Sequence, residues 1–579
     1  MAALVTAFCL LAYFAGYTLY ARYLARRVFR LDPDRVTPAH ELEDGVDYVP
    51  TRKYVLFGHH WASITGLSPM LGPAVAVIWG WLPATLWVVF GALFVGCVHD
   101  FGALVVSMRA RGMSIGKAAE GIVGPRAKTL FHLIIFFGIA LAMGVFVFVI
   151  AELFAISDAW SPDRPLADPA SFPTAVLPSA ALVVLAMIMG WLLYKRGAPL
   201  LPVTAVGFAL MLASVWAGLE LPLLGLERSA WPELPTWIVL LLGYSFAASV
   251  LPVWSLLQAR DFLNSLLLYL GLGLAYLGIF VWRPEFVAPA FRPQPEGAPS
   301  FYPFVFIVIA CGAASGFHSL VASGTTAKQI GSEKDARFIG YGGMVGESLL
   351  GLLAVLATTA GVVAAGGGSA RELWATTYRD WDAMSGLGSK IGIFITGAAH
   401  FIERLGVADH RVATAFVAVV VVSFALTTLD SATRLLRFNI SEIGETLGLK
   451  VLANRYLASG LAVVVIGFFA FYEIGGRPAG LALWALFGTT NQLLAGLALL
   501  VVTMYLKQRG RNAWVTALPA IFMLVSTVAA MVDNLDGFRR QWSQGGAVLF
   551  VVGSILLALA VWLLVEAVLA WRRPASSDP

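Results

Sequence analysis

Residues 58–66 read GHHWASITG and residues 316–324 read GFHSLVASG, so both stretches fit the pattern G-x-H-x4-[ST]-G. Each stretch lies inside an apolar segment that is long enough to cross a bilayer. Glycines and small polar residues that interrupt a helix free backbone groups that hydrocarbon cannot satisfy, so such a break is tolerated only beside a cavity. A repeated break is typical of a transporter's binding site. For either stretch alone, the alternative is that small residues only allow close helix packing. The matching positions of histidine, hydroxyl and glycine in the two stretches favour a functional role.

The composition indicates an integral membrane protein. Of the 579 residues, 59% are hydrophobic and 13% are charged, and the mean hydropathy is +0.80. The net charge of +5 does not indicate a nucleic-acid partner, because Lys and Arg cluster in short loops beside apolar spans. Cys9, Cys97 and Cys311 lie in apolar segments without C-x-x-C spacing, so we expect neither disulfides nor a thiolate metal site.

The hydropathy pattern predicts fifteen membrane crossings. They are residues 4–24, 54–78, 82–108, 129–156, 173–194, 199–221, 236–258, 264–282, 301–325, 339–366, 411–436, 456–475, 480–506, 513–532 and 545–570. A further apolar stretch, residues 388–405, is predicted to form a half-helix or a re-entrant segment.

The charge pattern predicts an N-terminus outside the membrane. No basic residue precedes the first apolar run, and Arg22, Arg26, Arg27 and Arg30 follow it, which favours a retained span over a cleaved signal peptide. This orientation places most of the 39 Lys and Arg residues in inner loops, as the positive-inside rule requires. Fifteen crossings then leave the C-terminus inside.

The two motif-bearing segments are the second and ninth predicted crossings, so they run in opposite directions. Opposite directions are what an inverted repeat requires. We therefore predict an all-α polytopic membrane protein with two discontinuous helices and five-helix repeats at residues 54–221 and 301–506. The other parts are an N-terminal span and inner loop (1–53), an inserted helix pair (236–282), and C-terminal helices with a short tail (513–579).

Several blocks of the sequence resemble the carbon starvation protein A (CstA) family. They are DGVDYVPT at residues 44–51, KYVLFGHH at 53–60, SGFHSL at 315–320, SGTTAKQ at 323–329, TTLDSATR at 427–434 and FGTTNQLLA at 487–495. The resemblance implies a multi-pass transporter of the cytoplasmic (inner) membrane, induced in carbon starvation, that takes up peptides or pyruvate with protons. It also implies a LeuT/APC-like core, as in the amino acid-polyamine-organocation superfamily, in which the first helix of each repeat is broken.

The breaks are the first candidate site. A half-helix N-terminus attracts a carboxylate, which is the group that peptides and pyruvate share. Pro69, Gly72 and Pro73 would keep the first break open, although simple kinks are an alternative explanation. The predicted substrate-binding residues are His60, Thr65, Gly66, Ser68, His318, Ser323, Gly324 and Thr325.

Ionisable and hydroxyl side chains at membrane depth are the second candidate site, because a buried charge is costly unless it has a function or a partner. Histidine titrates near neutral pH, which suits proton loading and release, and a silent core histidine is the alternative. Hydroxyls beside Asp430 also fit a sodium site, and Asp430 could instead pair with Arg434. The predicted coupling residues are His60, Asp100, His318, Glu347, Thr427, Thr428, Asp430 and Ser431.

No enzyme is predicted, because the sequence has no nucleophile, zinc-protease or phosphate-loop motif. We expect no cofactor and no metal. Haem between His60 and His318 is disfavoured because these histidines adjoin breaks. The predicted function is import of small carboxylates such as pyruvate, or of short peptides, by alternating access. The expected partners are this substrate, a coupling proton (or Na⁺) and the lipid bilayer, and a channel is the less favoured alternative.

Overall fold

The computed structural model describes residues 1–45, 47–157, 160, 170–252, 255–364 and 368–571. These residues are helical apart from loops, short 3-10 turns and one hairpin of β1 (Glu473–Ile474) and β2 (Arg477–Pro478). The helices are α1 Ala2–Val28, α2 Pro38–Glu41, α3 Lys53–Ile64, α4 Ser68–Trp79, α5 Trp81–Arg109, α6 Ile115–Ile122, α7 Pro125–Phe154, α8 Pro173–Leu193, α9 Leu200–Glu220, α10 Leu234–Val250, α11 Leu257–Trp282, α12 Phe301–Val308, α13 Ala310–Ala313, α14 Gly316–Gly324, α15 Glu333–Thr359, α16 Ala370–Thr377, α17 Leu387–Glu403, α18 His410–Thr446, α19 Arg455–Ala470, α20 Gly480–Gln508, α21 Trp514–Arg540 and α22 Gly546–Trp571.

Eleven of the described helices are long and apolar enough to cross a membrane, and the bent pair α3 and α4 would make a twelfth span. The chain is therefore a multi-pass membrane protein. Every predicted crossing contains helix, but α10 and α19 are shorter, and residues 301–324 are divided among α12, α13 and α14. Fifteen crossings thus stay a prediction. The predicted tail, residues 572–579, and parts of the predicted crossings 236–258 and 339–366 lie outside the described residues.

The two segments that carry the repeated motif lie in the core of the bundle. Every residue from 58 to 80 is buried, as is every residue from 307 to 323. Around them, α15 packs against both α3 and α4, and α14 packs against α5 and α20. The outer helices are much more exposed, since only 22% of the apolar window of α9 is buried, against 94% in α18. The broken segments therefore contact protein rather than lipid.

The first segment is interrupted where the sequence predicts it. Helix α3 ends at Ile64, α4 begins at Ser68, and the two halves are bent by 46°. Thr65 has an extended backbone, with ψ of 96°. Pro69 lies in the first turn of α4, where the missing backbone N–H of proline costs no helical hydrogen bond. The break is thus built from local sequence.

The second segment is also interrupted, but at a different place from the one predicted. The helix stops at Val308, and Ala314 and Ser315 are extended before α14 begins at Gly316. The repeated motif therefore follows this break, whereas in the first segment the motif ends at the break. Ser323, expected near an interruption, lies within the last turn of α14.

The two broken segments run in opposite directions. The backbone N–H of Thr51, just before α3, donates to the carbonyl oxygen of Gln329, just after α14, at 2.9 Å. Further along, the Cα of Gly72 in α4 faces the carbonyl oxygen of Val308 in α12. This antiparallel contact agrees with the inverted repeat, which itself stays a prediction. We call the end at Thr51 the basic end, because Arg35 and Arg109 pair with Glu333 there.

Candidate functional site

The imidazole of His318 lies between two carboxylates. Its Nδ1 is 2.8 Å from Asp100 Oδ2, and its Nε2 is 2.9 Å from Glu347 Oε2. The other oxygen of Asp100, Oδ1, is 2.7 Å from His99 Nδ1. All four side chains are completely buried. One carboxylate lies at each ring nitrogen of His318. With both carboxylates ionised and His318 protonated, the cluster has a net charge of −1, so a carboxylate can accept a further proton.

Three different helices supply this cluster. Asp100 lies in α5, His318 lies in the first turn of α14, and Glu347 lies in α15. Helix α14 begins after the second break, so the break sets the position of His318 relative to the other two side chains. Glu347 Oε1 has no hydrogen-bond partner among the described residues. The structure thus brings together three residues that the sequence predicted as separate coupling candidates.

His60 has different surroundings from His318, although the motif places the two at matching positions. Its Nδ1 is 2.8 Å from the hydroxyl of Thr326, and its Nε2 has no hydrogen-bond partner in the described part of the chain. His60 therefore has a threonine hydroxyl as its partner where His318 has two carboxylates, so it is not a second copy of the cluster centre.

Unpaired polar atoms concentrate at the first break. They are buried and have no hydrogen-bond partner among the described residues: Thr65 Oγ1, Ser68 Oγ, Trp61 Nε1, His60 Nε2 and Thr428 Oγ1. Buried polar atoms in proteins are nearly always paired with protein or water. Their concentration at one interruption indicates a place where a polar ligand or water binds. Four predicted site residues at this break, Thr65, Gly66, Ser68 and Thr428, are thus neighbours in the fold.

Gly66 brings the end of α3 against α18. A Cβ atom at this position would lie 2.7 Å from Thr428 Oγ1 and 2.9 Å from a ring carbon of Phe146. We expect Gly66→Ala to lower the free energy of unfolding by about 1–3 kcal/mol through overpacking. Thermal melting in nanodiscs measures the change. In the control Gly460→Ala, a Cβ meets nothing within 4 Å, and equal melting of both variants would contradict the close contact.

The residues predicted for the second half of the anion pocket are engaged elsewhere. Ser323 Oγ accepts from the backbone N–H of Ile115 at 3.0 Å, and Thr325 Oγ1 donates to the carbonyl oxygen of Val321 at 2.8 Å. Gly324, between them, ends α14. The structure therefore places Ser323, Gly324 and Thr325 at a helix C-terminus, where the dipole repels anions.

The N-terminus of α14 is also occupied. The backbone N–H of Phe317 donates to Asn491 Oδ1 at 3.0 Å, and Asn491 Nδ2 contacts the hydroxyl of Ser315 at 3.1 Å. This side chain from α20 satisfies a backbone group that a substrate carboxylate would otherwise bind. The helix N-terminus at the second break is thus already bound by a side chain of the protein.

Asp430 pairs with Arg260, a partner that the sequence analysis did not name. Its Oδ2 accepts hydrogen bonds from Arg260 Nη1 and from the hydroxyl of Tyr244, the latter at 2.8 Å. Arg434, the predicted alternative partner, instead donates from Nη2 to the carbonyl oxygen of Ala248 at 2.9 Å. Two atoms of the Arg260 guanidinium, Nε and Nη2, have no hydrogen-bond partner among the described residues.

Two further buried charged residues, Arg260 and Asp261, were missed because of the predicted span ends. The predicted crossings stop at 258 and resume at 264, whereas α11 begins at Leu257 and carries Arg260 and Asp261 into the core. Asp261 Oδ2 is 2.8 Å from His59 Nδ1 and accepts from the Ser63 hydroxyl at 3.2 Å. The signals available were the adjacent charges of Arg260 and Asp261 between apolar runs and the doubled histidine of the motif.

The hydroxyl cluster on α18 is only partly available to a cation. Thr427 Oγ1 accepts from Asn264 Nδ2 at 2.6 Å and donates to the carbonyl oxygen of Ser423 at 2.8 Å. Asp430 is bound by Arg260, and Ser431 is buried next to it in the chain. A sodium ion needs several free oxygen ligands, and here the carboxylate already has a resident cation.

A family model described as Carbon starvation protein CstA matches residues 1–367 and 372–530. The chain belongs to this family. A relative from Helicobacter pylori named Peptide transporter CstA is 34% identical over 567 residues, which cover 89% of this chain and 79% of the relative. The Pyruvate/proton symporter BtsT of Escherichia coli (strain K12) is 32% identical over 608 residues, with 92% and 82% covered.

Family membership confirms the resemblance of the motif blocks and extends it over most of the chain. A Peptide transporter CstA of Bacillus subtilis (strain 168) is 32% identical over 603 residues, which cover 98% of this chain and 96% of the relative. Among solved structures, that of MhsT in complex with L-phenylalanine covers 90% of this chain and 99% of MhsT, with a TM-score of 0.43 and 11% identity.

Proposed function

We propose that this chain imports pyruvate or other small carboxylates, or short peptides, by proton-coupled alternating access across the cytoplasmic membrane. The observation that carries the proposal is the completely buried His318, held between Asp100 and Glu347 beside the broken segments. Ionisable residues that pair inside a membrane bundle are typical of proton relays. The relatives named as peptide transporters and as a pyruvate/proton symporter support both the substrate class and the coupling ion.

The cluster can link protonation to helix movement. Asp100 belongs to the first predicted repeat, whereas His318 and Glu347 belong to the second. Protonation of Asp100 removes its attraction to His318 across the two repeats, and in a dry interior such an attraction is strong. The contact between the two repeats therefore depends on whether a proton is bound. This dependence is the property that a proton-coupled carrier requires.

Two sets of groups can bind the carboxylate of a substrate. The first is the break at residues 65–67, with the unpaired hydroxyls of Thr65 and Ser68. The second is the guanidinium of Arg260, whose Nε and Nη2 are buried without hydrogen-bond partners in the described chain, although Nη2 lies 3.8 Å from Asp261 Oδ1. An arginine binds a carboxylate through two parallel N–H donors, so Arg260 supplies the charge complementarity that the hydroxyls lack.

A cavity of about 830 Å³ lies at the basic end. It lies between the end of α10 and the last turns of α18, and Arg434 and Arg437 form part of its wall. Arg434 follows Asp430 by four residues, so the part of the wall that Arg434 forms lies about 6 Å along α18 from Asp430, the partner of Arg260. Its volume is sufficient for a dipeptide. We assign it to the substrate path on the predicted cytoplasmic side.

Reconstituted protein in proteoliposomes tests the proposal directly. We expect labelled pyruvate or a labelled dipeptide to accumulate when the outside is made one pH unit more acidic. One pH unit supplies about 1.4 kcal/mol, so a carrier that moves one proton per substrate accumulates it about tenfold. Protein-free liposomes and liposomes with equal pH on both sides are the controls. Accumulation under neither a proton nor a sodium gradient, for both substrate classes, would contradict the assignment.

The same assay separates the alternatives. Accumulation that follows an imposed sodium gradient at equal pH would identify Na⁺ as the coupling ion. Flux that never saturates with substrate and never runs uphill would identify a channel. The ion pair between Arg260 and Asp430 disfavours sodium at that position, so we expect the proton gradient alone to be sufficient.

A further inference from the structure

Two histidines and a glutamate meet where α17 ends and α18 begins. They are His400, Glu403 and His410, and one ligand atom from each lies within 4.8 Å of those of the other two. The two imidazoles are stacked, with ring centroids 4.4 Å apart and an angle of 19° between the ring planes. All three residues are partly exposed, so the group is open to solvent. The site lies at the end of the bundle opposite the basic end.

The hydrogen bonds of this group set which atoms are free to bind. His400 Nδ1 is 3.0 Å from the carbonyl oxygen of Gly361, and since a carbonyl only accepts, Nδ1 carries the proton. The Nε2 lone pair of His400 is therefore available. A backbone carbonyl that fixes the tautomer of a histidine in this way is the usual support for a metal ligand.

His410 and Glu403 form a hydrogen bond, and a metal ion would replace the proton between them. His410 Nδ1 is 3.1 Å from Glu403 Oε2, and both side chains are more than one-third exposed. The nearby cations do not compete for the carboxylate, because Arg404 lies over the ring of Trp282 and Arg411 donates to the carbonyl oxygen of Leu219. Small rotations of these side chains are sufficient to bring three ligands around one ion.

We propose that His400, Glu403 and His410 form a binding site for a divalent transition metal such as Zn²⁺. Two imidazole nitrogens and one carboxylate oxygen are a donor set that zinc accepts, with the fourth tetrahedral position taken by water. Bound metal would join the end of α17 to the start of α18 across the loop of residues 404–409. Because α17 also packs against α4 and α11, the metal would restrain helices next to the first break.

Zinc titration of the full-length protein without a polyhistidine tag, in nanodiscs, tests the site by calorimetry. We expect His410→Ala and Glu403→Gln each to weaken Zn²⁺ binding by about 10- to 100-fold or more. His40→Ala is the matched control, since His40 is exposed at the basic end and its loss should leave the affinity unchanged. Zn²⁺ binding by Glu403→Gln and His410→Ala that is as tight as binding by the wild type would overturn the proposal.

Two further measurements distinguish loss of metal binding from loss of folding and from loss of transport. Melting in the presence of EDTA shows whether each variant is folded, and Glu403→Gln keeps the side-chain size if His410→Ala is unstable. The titration needs no substrate, so its outcome does not depend on the proposed transport function. Thermal melting should rise with Zn²⁺ in the wild type and not in either variant.

Discussion

Replacing His318 by glutamine is expected to abolish proton-driven accumulation while leaving substrate exchange intact. Glutamine keeps a donor between Asp100 and Glu347 but cannot carry the positive charge that both carboxylates contact. Accumulation driven by one pH unit should therefore fall from about tenfold to about onefold. Exchange of labelled for unlabelled substrate across the same liposomes requires no net proton movement, so it should continue.

His40→Gln is the control for this experiment, because His40 is an exposed histidine distant from the cluster. We expect it to accumulate substrate like the wild type. Loss of both exchange and accumulation in His318→Gln, with normal folding, would assign His318 to substrate binding rather than to coupling. Full accumulation in His318→Gln would remove the cluster from the mechanism altogether.

Arg260→Met is expected to destabilise the protein severely, and a second substitution is expected to restore stability without restoring transport. The single substitution leaves Asp430 buried with the Tyr244 hydroxyl as its side-chain hydrogen-bond partner among the described residues. Breaking a buried ion pair by removing one partner costs about 3–5 kcal/mol, whereas replacing both charges with apolar residues is often neutral. Arg260→Met with Asp430→Leu should therefore melt near the wild-type temperature.

Transport by this double variant shows whether Arg260 binds substrate or only stabilises the fold. If its Nε and Nη2, which have no hydrogen-bond partner among the described residues, bind the substrate carboxylate, the stable double variant stays inactive. Wild-type uptake by the double variant would show that the pair is structural. Arg379→Met is the matched control, since Arg379 forms an exposed pair with Asp380 and its loss should change melting little.

The sequence predicted the first break well because its cause is local. Pro69 and the small residues around Gly66 interrupt the first helix regardless of what packs against it. The position of the second break was not predictable in the same way. Its motif matches the first, but the chain around Ser315 is held by Asn491 from a distant helix, and a motif contains no information about such a partner.

The missed residues of the site have a physical explanation too. Hydropathy averaged over a span-length window assigns Arg260 and Asp261 to a loop, because two adjacent charges lower the average of every window that contains them. In the fold these charges meet His59 and Asp430, which makes their burial tolerable. Partnerships between residues far apart in the sequence are set by packing, and one sequence alone does not specify them.

The complete burial of Asp100, His318 and Glu347 has a consequence for energy conservation in the cell. A proton can leak through a membrane protein only along a connected chain of water or exchangeable groups, and in this conformation none of the three side chains touches solvent. In the proton-coupled mechanism proposed above, this burial would keep the three side chains from conducting protons across the membrane in this conformation. A cell that has little fuel would lose no energy through idle copies of such a protein.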